Sequence, residues 1–169
     1  MQHSSAMRMG AEIDITGIYR YFLWREWDVN QPRLGFVMLN PSQADATTDD
    51  ATIRRCINFA RSWGYGAIAV VNLFAYRATN PKMLRQAPDP IGPENDYYLL
   101  KAQQQVQEMI VAWGNWGTFH HRDQMIMRLL TRQGRVCCLG TTQSGQPRHP
   151  LYLSRNTVPV PFQAANLVR

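Results

Sequence analysis

Residues 34–42 read LGFVMLNPS: an unbroken apolar run, then an asparagine, a proline and a serine. A run without polar alternation describes a strand buried on both faces, and Asn40-Pro41-Ser42 ends it in a polar turn. The same unit recurs outward along the chain. Residues 67–71 (AIAVV) stop at Asn72, residues 109–113 (MIVAW) at Gly114, and residues 136–139 (VCCL) at Gly140. Helical patterns separate these runs. Ile53, Cys56, Ile57, Phe59 and Ala60 recur at helical spacing after Thr48, Asp49 and Asp50, and the pattern closes at Gly64. Residues 93–108 open on Pro93-Glu94-Asn95-Asp96, with Tyr97, Leu100 and Val106 as core candidates, and residues 122–132 supply a third helix. The order β, α, β, α, β, α, β predicts an α/β domain of three α/β/α layers around a mainly parallel four-stranded sheet. Its crevice is expected at the carboxyl ends of the strands.

Two stretches fall outside that alternation. Residues 19–27 mix aromatics with Arg and Glu, which predicts a half-exposed strand outside the core sheet. Residues 74–93 carry four prolines and predict a long irregular loop, of the kind that is functional or mobile in a small domain. With no internal repeat, low-complexity tract or long linker, residues 1–169 read as a single domain whose motifs fall within about 34–154.

The composition narrows the function classes. The 169 residues are 45% hydrophobic and 18% charged, with a net charge of +6 and a pI near 9.6. No apolar run is long enough for a membrane span, so no membrane partner is expected. Only Lys82 and Lys101 are lysines; every other cation is an arginine, whose planar fork suits phosphate oxygens and base faces. Cys56, Cys137 and Cys138 are too few for a disulfide framework or a four-thiolate metal site and read as buried hydrophobes, which points to the cytoplasm. The opening MQHSSAMRMG lacks the apolar core of a signal peptide, so no export is expected. No Gly-x-Ser-x-Gly elbow, Walker loop or dinucleotide fingerprint is present, and no cofactor is expected. His120-His121 is a poor chelate because adjacent side chains point apart, so no metal is expected.

The crevice rule selects the strand ends. Asn40 and Asn72 occupy matching positions, where a side-chain amide either presents an acceptor and a donor group to a ligand or closes an Asx turn. His149 lies between Pro147 and Pro150 in the last loop and is placed to donate to a developing anion or to carry a proton. Asp45, Asp49 and Asp50 either include a carboxylate base or magnesium ligand or form the negative start of a helix. Arg54, Arg55, Arg77, Arg85, Arg148 and Arg155 flank these loops as candidate phosphate contacts.

Taken in order, MLNPS at 38–42, VVNL at 70–73, AWG at 112–114 and HPLYLS at 149–154 resemble the motifs of the uracil-DNA glycosylase superfamily. They resemble more closely an uncharacterised bacterial and phage family, domain of unknown function 1643. The resemblance implies a uracil-DNA-glycosylase-like fold in which Asn40 positions the attacking water, with Pro41 and Ser42 beside the base. It makes Asn72 the reader of the base edge, with Phe74 nearby, and makes His149 the stabiliser of the charge on the departing base. Leu153 becomes the wedge for a flipped nucleotide, with Ser154, Arg148, Arg155 and Arg77 on DNA; Leu151-Tyr152 stand where the glycosylases have Ser-Pro. The expected activity is metal-free hydrolysis of an N-glycosidic bond of a damaged or deaminated base in DNA. A noncatalytic nucleic-acid or nucleotide-binding module, and an enzyme of free nucleosides or nucleotides, are the alternatives.

Overall fold

The structure is a computed structural model that describes residues 6–163. Its sheet has seven strands: β1 (Arg8–Ile13), β2 (Arg20–Glu26), β3 (Arg33–Met38), β4 (Ala67–Asn72), β5 (Glu108–Val111), β6 (Val136–Cys138) and β7 (Val160–Pro161), in the order β1-β2-β4-β3-β5-β6-β7. Three helices are added: α1 (Ala51–Ser62), α2 (Asn95–Gln105) and α3 (Arg122–Leu130). Buried residues of α1 join one core cluster with Leu34, Phe36, Ile68 and Val70. Those of α2 and α3 join a second with Val37, Val71, Val111 and Trp113. The side-chain alternation of β3 and β4 thus divides two cores between the faces of one sheet.

The expected mainly parallel four-stranded sheet of the uracil-DNA-glycosylase-like α/β/α type is overturned. Pairings β3–β4, β3–β5 and β5–β6 are parallel, but β1–β2, β2–β4 and β6–β7 are antiparallel, and the antiparallel pairings reach five of the seven strands. The sheet is mixed. The three strands that change its character, β1, β2 and β7, lie outside the four apolar runs at 34–39, 67–71, 109–113 and 136–139.

Residues 19–27 are corrected in the same way, since β2 is an inner strand hydrogen-bonded to both β1 and β4. Tyr21, Phe22 and Leu23 are buried, and so are Arg20 and Arg25. A buried guanidinium is tolerable only when its donors are satisfied. Arg25 meets that condition: Nε binds Asp49 at 2.7 Å, and its terminal nitrogens donate to the carbonyls of Gly10, Trp24, Asp45 and Thr48.

Local signals set the helix limits. Asp50 caps α1 by accepting from Ile53 N–H at 2.9 Å, and Gly64 follows the helix at φ +84°. In α2 the buried residues are Asn95, Leu99 and Ala102; Tyr97 is exposed, while Leu100 and Val106 are half-buried. The loop 74–93 contains a 3-10 turn at Pro81–Arg85, and a second 3-10 turn, Asn115–His121, precedes α3. No described helix is long and apolar enough to cross a membrane.

Candidate functional site: a polar cleft at the end of β3

A cleft of about 430 Å³ opens where β3 ends, walled by Met38, Leu39, Asn40 and Ser42, the first turn of α1, Trp113 after β5, and His149 and Leu151 after β6. Arg20, Asp50 and Thr79 also reach it. Elements far apart in sequence meet here because parallel neighbours end on the same side.

Asn40 is oriented by its own loop. Its Nδ2 donates to the carbonyls of Pro41 at 3.0 Å and Ala78 at 2.8 Å. Both partners are acceptors, so the amide nitrogen must face them, and the oxygen is left as the group for a ligand or water. The carbonyl of Pro41 also accepts from Ala78 N–H, so the buried proline contributes backbone, while Ser42 contributes to the wall.

His149 is complementary to it. Nδ1 accepts from Leu151 N–H at 3.2 Å, which puts the proton of the neutral imidazole on Nε2. Burial pulls its pKa below the ordinary histidine value, and the Asp50 carboxylate partly opposes that shift. The ring is therefore a neutral donor at neutral pH.

Asp50 resolves an open alternative by serving two ends. One oxygen caps α1 and the other accepts from Ala44 N–H at 3.3 Å, yet the residue also lines the cleft and acts electrostatically on both His149 and Arg20. Arg20 donates from Nη1 to the Ala44 carbonyl at 3.0 Å, and its buried Nε has no partner among the described residues. Burial lowers its pKa to about 10, against the pull of Asp50, so it stays cationic at neutral pH.

Trp113 borders the cleft from the core, with its side chain fully buried. Its Nε1 donates to Gln146 Oε1 at 2.8 Å, and Gln146 Nε2 donates to Asp123 at 3.1 Å. This buried chain fixes the indole from behind.

The structure does not bring every expected residue into the cleft. Asn72 is buried outside its walls, with Nδ2 unpartnered among the described residues and its carbonyl accepting from Asn95 at 2.9 Å. Phe74 is fully buried in the core under α2 and α3, with its ring 5.6 Å from Phe119. Leu153 packs against the α1-side core. Ser154 is exposed, and its Oγ accepts from Asn156 N–H. Arg148 is exposed and bonds the Thr141 carbonyl, while half-buried Arg77 reaches the Gly17 carbonyl. Arg155 is exposed beside a separate groove.

Sequence reasoning missed Arg20, because a strand arginine reads as solvent-facing. An arginine beginning a strand of buried aromatics was the available signal.

A mixed-sheet α/β domain with an acceptor amide, a neutral imidazole, a half-buried carboxylate and a buried guanidinium around one cleft is the class these observations define. Residues 20–151 match the family model described as Protein of unknown function (DUF1643), and the chain belongs to that family. No curated protein and no solved structure matches it.

Proposed function

We propose that the cleft binds a nucleobase carried by DNA and hydrolyses its N-glycosidic bond. The observation that carries this reading is the pairing of an acceptor fixed at Asn40 with a neutral N–H donor at His149 in one cleft. Glycosidic hydrolysis needs opposite polarities at its two ends. A water must be oriented toward the sugar carbon, and a donor must meet the charge that develops on the base.

In this mechanism Asn40 Oδ1 accepts a hydrogen bond from the water, whose oxygen forms the new bond to C1′ as the C1′–N bond breaks. The bonding pair leaves on the base, where His149 Nε2–H donates to the anionic oxygen; solvent takes the surplus proton of the water. Asp50 places negative charge near the cationic sugar, and Arg20 keeps that carboxylate from standing alone. Asn72, which the motif likeness makes the base reader, has no part in this scheme because it does not line the cleft.

The test is incubation with labelled oligonucleotides containing uracil, hypoxanthine, xanthine or a mismatched thymine, followed by alkali to cut abasic sites. The expected result is strand cleavage at one lesion, lost in Asn40→Ala and in His149→Ala. If no lesion is cut while DNA binding persists, the protein is a noncatalytic module; if neither occurs, DNA is not its partner.

A further inference from the structure

Beside the cleft, on the outer side of α1, lies a second groove of about 300 Å³ lined by Arg55, Asn58, Phe59, Ser62 and Arg155. It holds two guanidiniums, an amide and a hydroxyl, and no carboxylate. Arg55 is held in place: its guanidinium lies 4.8 Å over the Phe59 ring and one terminal nitrogen bonds the Leu153 carbonyl. A guanidinium fixed on an aromatic face, with its other terminal N–H donors to give, is preorganised for a planar or tetrahedral oxyanion.

Cleft and groove share two elements. Residues 50–53 line the cleft at the start of α1, and residues 55, 58, 59 and 62 line the groove further along it. At about 1.5 Å per residue, Thr52 to Asn58 and Ile53 to Ser62 span roughly 9–14 Å. Phosphates recur along a helical strand at about 3.4 Å of axial rise and lie farther apart through space, so a gap of this size is one that a strand of a few nucleotides bridges. The loop 149–155 bridges the same gap, with His149 and Leu151 in the cleft and Arg155 in the groove. Between them stands Tyr152, 99% exposed and held at φ +69°. A bulky residue in the left-handed region is uncommon and persists where its surroundings enforce it. Here the enforcing contacts are the Leu151 N–H bond to His149, the packing of Leu153 on the core and the Arg55 hold on its carbonyl.

We infer that the Arg55–Arg155 groove is a phosphodiester subsite for the strand whose base enters the cleft, with Tyr152 as the stacking surface between the two. The ligand so inferred for the whole site is a polynucleotide. The register of the strand rests on the cleft being a nucleobase site.

The experiment measures anisotropy of a labelled 15-nucleotide single strand and of its duplex across a salt series, beside calorimetric binding of deoxyuridine. Arg155→Ala is expected to lower the salt slope of single-strand binding by about 0.7, the share of one phosphate contact. Tyr152→Ala is expected to weaken binding about tenfold while Tyr152→Phe restores it. Arg132→Ala, a charge removed after α3 on the opposite face, is expected to leave the slope unchanged, and deoxyuridine binding is expected to be the same in all four variants. Equal slope losses in Arg155→Ala and Arg132→Ala, duplex binding that alone responds, or no binding of either nucleic acid would overturn the subsite. Intact groove effects without base excision would instead refute the hydrolytic reading and leave the groove standing.

Discussion

At Asn40 two amide hydrogens meet two carbonyl oxygens, and this small arrangement decides what the residue can do. A carboxylate there would set negative charge against both carbonyls. Asn40→Asp is therefore expected to lower stability by about 1–3 kcal/mol in a denaturant titration, the cost of buried groups left without partners. Asn40→Ala loses the same donors but adds no repulsion, so it should unfold at a higher denaturant concentration than the aspartate variant. The reverse order would mean that the amide is not held as described. The asparagine and His149 were legible in the sequence because an apolar run stops at one and two prolines fix the other. The direction of the Asn40 amide was not, because it depends on Ala78, which is distant in the chain and arrives through the loop after β4.

Elements show where a sequence rule fails for a physical reason. Continuous apolar runs located β3, β4, β5 and β6 because a strand covered on both faces has no polar position to spare. Strand β2 escaped that rule because its two inward arginines are neutralised by carbonyls of the 44–49 loop and by Asp49, contacts that no local pattern encodes. Arg25→Ala should thus cost about 3–5 kcal/mol by leaving Asp49 and the carbonyls unpaired. A loss under 1 kcal/mol in chemical denaturation would place β2 at the periphery after all. The turn Asn115–His121 carries a second element-scale constraint. A Cβ on Gly117 would stand 2.1 Å from Trp113 Cδ1, so Gly117→Ala must move an indole buried in the core beside the cleft. A stability loss of about 1–3 kcal/mol and a shift in tryptophan emission are expected, since overpacking at a rigid ring has no cheap relief. Unchanged emission together with unchanged stability would show that the ring is not confined there.

Over the whole molecule, the cleft, the α1-side core and the basic groove meet at α1 and at the loop 149–155, so one titrating group there is felt by folding as well as by chemistry. That group is His149. Burial holds its folded pKa below the 6.5 of a free histidine, with Asp50 opposing. Between the folded and unfolded values the unfolded chain binds more protons than the native one, so stability rises with pH across that window. The contribution of the neutral ring is complete above about 6.5 and is lost as pH falls through the folded pKa. His149→Asn can keep an acceptor for Leu151 N–H but cannot titrate. The wild type should lose more unfolding free energy than this variant between pH 7.5 and 5, and the ring's NMR midpoint should fall below 6.5. Equal losses would mean that Asp50 cancels burial, and a smaller loss in the wild type, or a midpoint above 6.5, that it outweighs burial. In the latter case the imidazole would take up its proton closer to neutrality, and its Nδ1 would give up the Leu151 bond that helps to hold Tyr152 at the rim of the cleft.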